Sequence, residues 1–479
     1  MADSYDCDVL IAGGGPTGVT LALLLAQHGA SVLVAEQETA LYPLPRAAHL
    51  DHEVMRIVQQ AGAANRVMAS CRTTARYDFL TADRQILLRF EGSDQIGPGG
   101  WPGANMIHQP SVEAALRGCL ADHPAVRLES GWELVSFADE SDAVTAQIAT
   151  PAGGRTLRAR YLVGADGARS LVRKAAGIEF EDLGFEEPWL VIDTLVQDYA
   201  RLPDANLQIC DPARPTTCVL MGEGRHRWEF MILPGETAEE ISSEAAIARL
   251  LEPWDVHGAV TLERTAVYTF RARIAKQWRK GRVLLAGDAA HQTPPFAGQG
   301  LGSGLRDAAN LAWKLAAVAY GAPETLLDSY QTEREPNLRA TIDMAVMMGR
   351  MVCITDPAAA ALRDQQLLAA RAAGQAPAGP LAYPPIAAGL ILAGTSGAGS
   401  YFPQPIAAGQ RLDDVLGPYH WLIARGDLDR GELAPFRAAL AGWLDAHEAQ
   451  AVLVRPDRYV FGSGDADRLE AEWGKLFAG

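Results

Sequence analysis

The chain of 479 residues is short of cysteine, of positive charge and of long apolar runs, and each shortage removes a class of function. Its six cysteines (Cys7, Cys71, Cys119, Cys210, Cys218, Cys353) are scattered, with no Cys-x-x-Cys pair. That points to free thiols in a reducing compartment and away from a disulfide framework or a thiolate zinc site. Lysine and arginine number 42 against 58 acidic residues, a net charge of −16. Nucleic acid and anionic membranes both call for clustered cations, so neither is expected as a partner. An anionic ligand must instead be met by a local basic patch. No apolar stretch is long enough to span a bilayer, and the acidic start Met1-Ala2-Asp3-Ser4-Tyr5-Asp6 lacks the basic opening and apolar core of a secretory leader. The expectation is a soluble cytoplasmic protein of two or three domains.

Against these absences stands one stretch, Val9 to Glu36, that reads as strand, glycine turn, helix and strand. Gly13, Gly15 and Gly18 fall in G-x-G-x-x-G register after an apolar run. The first makes the tight turn, the second lets a pyrophosphate approach the backbone, and the third lets helix and strand pack closely. Leu21, Leu24, Leu25 and His28 recur at helical spacing and Gly29 ends the helix. Glu36 closes the second strand about twenty residues on, where an acid accepts hydrogen bonds from a ribose. A dinucleotide site is the expectation. Two further apolar strands end in Gly-Asp turns, at Gly164-Ala165-Asp166-Gly167 and Ala286-Gly287-Asp288, the latter running on to Pro294–Gly304 and a helix over about 303–320. In a doubly wound sheet such strand ends converge on one extended ligand.

Elsewhere the pattern predicts helices over about 51–61, 109–120 and 239–251, and alternating strands between 179 and 270 that form a separate antiparallel sheet. The Gly/Pro-rich segment 71–106 crosses toward that sheet. Leu207, Ile209, Val219, Met221, Trp228 and Phe230, with Phe296, are candidate wall residues for a ring site, with core packing as the alternative. Arg225, His226 and Arg227 read as a compact basic turn, solvated in preference to meeting a carboxylate or cofactor phosphate. Residues 356–384 read as helix and linker.

With these motifs in hand, the chain resembles the class A flavoprotein aromatic hydroxylases of para-hydroxybenzoate hydroxylase type, and is most similar to the meta-hydroxyphenylpropionate hydroxylases of the phenol hydroxylase branch. The Gly13–Gly18 turn with Glu36, Pro45-Arg46, Asp166-Gly167, Gly287-Asp288 and Gly298-Gln299-Gly300 carry the likeness. Cys210–Pro215, Leu233–Thr237 and Arg455–Arg458 agree with it. The resemblance implies an α/β fold in three parts: a doubly wound, Rossmann-like FAD-binding domain, an inserted antiparallel-sheet substrate domain, and a small thioredoxin-like C-terminal domain. Their bounds would be 1–178 and 276–355, 179–275, and 385–479. It also implies non-covalent FAD, NAD(P)H as electron donor, molecular oxygen, a small aromatic substrate and hydroxylation through a flavin hydroperoxide.

Residue by residue, the resemblance assigns Gly13, Gly15 and Gly18 to the pyrophosphate, Glu36 to the adenosine ribose and Arg46 to the pyrophosphate charge. Gln109 and Asp288 go to the ribityl chain, and Asp166-Gly167 to FAD and NAD(P)H handling. Pro295, the Gly298–Gly300 turn and the backbone at Leu301-Gly302 lie by the flavin ring, where a helix N-terminus favours the anionic reduced flavin. No strong acid/base constellation is evident. His49 or Asp51 could assist phenol deprotonation, although Asp51 also suits a helix N-cap. The halogenase Trp-x-Trp-x-Ile-Pro segment is absent, whereas a Baeyer–Villiger or ring-opening outcome and a non-catalytic redox sensor stay open. No cysteine follows Cys353, so the tail does no dithiol chemistry and serves packing or a homodimer.

Overall fold

The computed structural model describes residues 5–375 and 384–478, so Met1–Ser4 and the centre of the expected linker lie outside the described residues. Strand Cys7–Ala12 pairs in parallel with Val32–Glu36 on one side and with Gly153–Gly164 on the other. Val126–Ser130 and Val283–Leu285 extend the parallel core at its two ends. Val9, Leu10, Ile11 and Val32–Val34 are buried as continuous runs, because a parallel sheet covered on both faces exposes neither set of side chains. Helix Pro16–Gln27 follows the glycine turn with proline in its first turn, and packs against helix Gly300–Ala319. That helix starts three residues earlier than expected.

A second sheet, eight strands among the described residues, stands beside the first. Its two longest strands, Phe180–Val196 and Val260–Ala275, pair antiparallel along nearly their whole length. The expectation of an antiparallel insertion needs one correction. Asn206–Ile209 pairs in parallel with Arg76–Leu80, the first strand of a hairpin completed by Ile86–Glu91. That hairpin is delivered by the 71–106 crossing, so its direction is set by the crossover and not by a neighbouring turn. The pair His291–Gln292 closes the opposite edge.

Helix Thr325–Val352 runs 28 residues through Pro336 and packs on Gly300–Ala319. Among the described residues no single helix is long and apolar enough to cross a membrane. The tail builds an antiparallel sheet from Trp421–Ala424, Ala451–Val454 and Val460–Gly464. One face packs on Phe436, Leu440 and Leu444. The other meets Trp473 and, from the body, Trp313.

Buried ions join tail to body. Arg455 donates to Glu333 at 2.6 and 3.0 Å and to Asp457 at 2.6 Å. Lys314 and Asn310 of the Gly300–Ala319 helix donate to the same Glu333 carboxylate at 2.6 and 2.7 Å. Nearby, Asp413 accepts from Arg56 at 2.6 Å and from Arg458 at 2.9 Å. Burial pushes the Glu333 pKa up, but Arg455 and Lys314 outweigh it and hold the carboxyl well below its ordinary value. Its stabilisation is therefore present above the unfolded value of 4.5 and is lost as pH falls toward the folded one. Glu333→Gln should cost about 3–5 kcal/mol in denaturant unfolding at neutral pH, since it strands buried cations. The gap to the parent protein should narrow when the measurement is repeated near pH 4.

Candidate functional site

Three strand ends and two helix starts converge at one edge of the parallel sheet, and the open space over Gly15 and the exposed Asp288 outline a crevice between them. Gly13, at φ 106°, turns the chain out of the first strand so tightly that a Cβ there would collide with the Ala165 carbonyl at the end of Gly153–Gly164. Gly18 lets helix and turn touch, because a Cβ would strike the Gly13 carbonyl. A Cβ on Gly15, by contrast, would meet nothing within 4 Å. Two glycines are closed and the middle one is open, which is the shape a pyrophosphate requires. Gly15 caps its helix with no side-chain hydrogen bond, so the first N–H groups face that opening.

The acid at the end of the second strand is fixed. Glu36 accepts from Gly14 N–H at 2.7 Å and from Glu38 N–H at 2.8 Å. Two lone pairs remain for a sugar hydroxyl. Asp166 caps the short Leu171–Ala175 helix by accepting from Leu171 and Val172 N–H, while its second oxygen is buried and unpartnered among the described residues. Gly167 follows at φ 75°.

On the far side of the crevice, the Gly287 turn is clamped to the long helix by Asp307. That carboxylate accepts from Gly287 N–H at 3.1 Å, His291 at 2.6 Å and Arg334 at 3.0 Å. Asp288 keeps substantial surface although protein surrounds it, as for a side chain lining a deep crevice, and the resulting desolvation raises its pKa. Pro295–Ala297 forms one helical turn, Gly298 adopts φ 64°, and helix Gly300–Ala319 begins with no side-chain cap. Leu301 and Gly302 thus present backbone N–H groups at a second uncapped helix start.

Arg46 reaches the Asp288 side, where its charge opposes the carboxyl's upward shift. Its backbone is held by Gln109, whose amide oxygen accepts from Arg46 and Ala47 N–H at 3.3 and 2.7 Å while its nitrogen donates to Glu113 at 2.7 Å. Gln109 therefore positions the Arg46 segment, a role the motif alone does not reveal. Arg117, two turns along the same helix face, donates to the Gly14 carbonyl at 2.8 Å and adds a second cation beside the glycine turn. The 109, 113, 117 spacing was the available signal for it.

The expected acid/base pair is divided. Asp51 caps helix His52–Gln60 by accepting from Val54 N–H, and its other oxygen accepts from Arg306 at 2.7 Å. Burial raises its pKa, but Arg306 outweighs this and holds the carboxyl well below its ordinary value, so Asp51 is a poor proton acceptor. His49 lies 3.4 Å from the Gly298 carbonyl, and burial lowers its pKa, keeping the imidazole neutral.

The second sheet requires two corrections. Trp228 and Phe230 do not wall the crevice; with Leu190, Ile192, Cys218 and Ile247 they form a core on the opposite face, and Leu207 packs there too. Nor is 225–227 a solvated turn: Arg225–Met231 is a strand whose alternation buries His226 outward and Arg227 inward. Arg227 pairs with Asp193 at 2.7 Å and donates to the Pro45 and Arg46 carbonyls at 2.9 and 2.6 Å. The inward face is thus polar. Met221 is buried just beyond strand Thr216–Leu220, and Phe296 packs against Phe185, Trp189 and Phe270. Its carbonyl accepts from the Tyr77 hydroxyl at 2.8 Å.

Known proteins share this sequence pattern and this fold. The family described as FAD binding domain matches residues 6–345, and one described as HcaD C-terminal domain matches 429–479. A probable NADH-specific resorcinol 4-hydroxylase of Rhodococcus jostii is 39% identical, over 95% of this chain and 91% of that one. A 3-(3-hydroxy-phenyl)propionate/3-hydroxycinnamic acid hydroxylase of a Mycobacterium species is 34% identical, over 97% and 90%. Among solved structures, the flavin-dependent monooxygenase PieE, in complex with FAD and substrate, superposes with a TM-score of 0.83 at 25% identity, over 99% of this chain and 100% of that one.

The open and closed glycines make separable predictions. Gly15→Ala should leave folding stability within about 0.5 kcal/mol, since the methyl group enters empty space, yet weaken retention of a bound dinucleotide. Gly18→Ala should lower stability itself, by about 1–3 kcal/mol from the forced overlap. Thermal unfolding together with cofactor content after gel filtration reads both.

Proposed function

Because the chain belongs to the FAD-binding-domain family, among its flavoprotein aromatic hydroxylases, we propose that it holds FAD along the crevice from Gly13 to Gly302 and hydroxylates a phenolic ring at the Pro295–Phe296 end. The observation that carries this placement is the pair of uncapped helix starts, at Gly15 and Gly300, opening on one crevice that Asp288 also lines. FAD bound there supplies the relay of electrons from reduced nicotinamide to molecular oxygen.

The chain's own part is placement and electrostatics. The space over Gly15 takes the pyrophosphate, with Arg46 and Arg117 supplying the positive charge that the acidic protein lacks overall. Glu36 accepts from the adenosine ribose. Asp288 accepts from the sugar-alcohol chain, and the N–H groups of Leu301 and Gly302 face the ring system, where a helix start stabilises negative charge. His49 braces the Gly298 turn. Asp166-Gly167, beside Gly13, is where the nicotinamide donor passes, and the likeness to an NADH-specific relative favours NADH as that donor. Trp189, Phe270 and Phe296 pack an apolar wall that keeps water from the reacting end.

Residues 1–178 and 276–355 serve as the FAD-binding part and 179–275, with the 76–91 hairpin, as the substrate part. The tail from 385, a small antiparallel sheet with a helix on each face, suits a thioredoxin-like unit with a packing role. The free thiols suit a reducing cytoplasm.

The purified protein should be yellow and should consume NADH in an oxygen-dependent way that a phenol accelerates, with mass spectrometry finding one added oxygen in the product. Asp288→Ala should purify with less flavin and regain activity only at excess FAD. A colourless protein that FAD does not restore would refute the assignment.

A further inference from the structure

Glu229 stands on the inward face of strand Arg225–Met231, between Val191 and Thr217 on the neighbouring strands. Its side chain is 8% exposed, and its carboxylate accepts no hydrogen bond among the described residues. The nearest charge is Arg227 Nη1 at 3.8 Å. Most polar groups around it are engaged, although Nε and Nη1 of Arg264 are buried with no hydrogen-bond partner among the described residues. Thr217 donates to Gln208 at 2.7 Å, Gln208 donates to Tyr77 at 2.8 Å, and Tyr77 donates to the Phe296 carbonyl. Arg227 and Arg264 share Asp193, at 2.7 and 3.2 Å, and Arg264 also donates to Tyr268. Glu229 therefore lies between two segments placed against the flavin, the Pro45-Arg46 backbone held by Arg227 and the Phe296 turn held by Tyr77. A buried carboxylate without a donor is costly, and with unused Arg264 donors on the same face it marks a place where a polar ligand completes the array.

We propose that Glu229 is the catalytic base: its carboxylate accepts the hydroxyl proton of the phenolic substrate, which makes the site one for uncharged, polyhydroxylated arenes in preference to phenolic carboxylates. The inference rests on the hydroxylase reading above and deepens it. The charges support it. Arg227 and Arg264 carry two positive charges, and Asp193 and ionised Glu229 carry two negative ones. When the substrate O–H bond breaks, its electron pair stays on the ring oxygen and its proton forms an O–H bond on Glu229. Charge moves from carboxylate to phenolate beside Arg227, and the buried group stays neutral overall. A substrate carboxylate would add an unmatched negative charge to the same face. Burial pushes the Glu229 pKa up, Arg227 opposes it and Asp193 adds to it, leaving it at about 7, where a base can exchange a proton under working conditions. The titratable or charged groups around it are Arg227 on its own strand, Asp193 on the adjacent strand with Arg264 paired to it from the strand beyond, and Tyr77, whose phenol is itself raised by burial.

The test uses the FAD-loaded full chain, with resorcinol and 3-(3-hydroxyphenyl)propionate as probes. In the parent enzyme, kcat/KM for resorcinol should rise with pH through about 7 and level off, while KM for the carboxylate probe should worsen over the same interval. Glu229→Gln, which keeps the shape, should retain flavin and thermal stability, lower kcat/KM for resorcinol about 100-fold, abolish the rise near pH 7, and improve binding of the carboxylate probe in a flavin-absorbance titration. Glu229→Asp should recover part of the resorcinol activity and restore the pH dependence. If Glu229→Gln keeps the parent's kcat/KM and pH profile, the proposal is overturned while the hydroxylase reading stands. If the flavin-loaded parent shows no phenol-stimulated NADH consumption with either probe, the hydroxylase reading fails and takes the proposal with it.

Discussion

The architecture depends on how closely the start of helix Gly300–Ala319 approaches two turns from distant parts of the chain. Gly304 leaves no room for a Cβ beside the Thr17 hydroxyl and the Gly287 backbone, and a Cβ on Gly287 would lie 2.8 Å from the same hydroxyl. Helix Pro16–Gln27, the last strand of the parallel core and the long helix thus share one point of contact. Asp307 and Arg306 secure it on two different sides. Asp307 reaches back to the Gly287 turn, and Arg306 reaches across to Asp51, Glu53 and Gln299. Adjacent residues on a helix project about 100° apart, so a single Arg-Asp step can grip two different elements.

The nucleotide-binding half was legible because its physics is local. Gly13, Gly15, Gly18 and Glu36 belong to one strand–turn–helix–strand unit in which spacing fixes geometry. The cap at Asp51 likewise follows from residues a few positions apart, and the start of helix Gly300–Ala319 does so to within three residues. What the sequence concealed is set by long-range pairing. Whether Trp228 or Glu229 faces the crevice is a matter of one residue of strand register, and alternation alone does not say which side is inward. Trp228 is the more apolar candidate, but two sheet faces both needed covering. The apolar set went to the helix-backed side and the charged set went inward. The alternation of Arg225, Arg227 and Glu229 was visible, but it is also what a solvated edge looks like. Asp51 illustrates the reverse case, where a residue chosen for chemistry is claimed at both oxygens by a cap and an arginine from the far helix.

The polar inward face changes how the second sheet should be regarded. Its outer face behaves as an ordinary core, with Trp228, Phe230 and Ile192 under the Glu244–Leu251 helix. Its inner face is a buried array in which arginines are matched to carboxylates and backbone carbonyls. Such an array contributes little net stability compared with hydrophobic packing, because desolvation offsets most of its attraction. Its value lies in orientation. Arg227 ties the second sheet to the Pro45-Arg46 segment, so one guanidinium couples that sheet to the segment proposed to meet the pyrophosphate.

The threading of the chain through both sheets bears on how the protein is made. The parallel sheet opens with residue 7 and receives its inner edge only at Val283–Leu285, while the second sheet takes a hairpin from 76–91 and is closed by His291–Gln292. Neither sheet is complete until nearly three hundred residues have left the ribosome, and each holds strands whose partners lie far along the message. Early products of synthesis therefore carry exposed apolar strands such as Cys7–Ala12 with one edge unpaired. High contact order of this kind slows folding and favours a chaperone-held nascent chain over piecewise maturation.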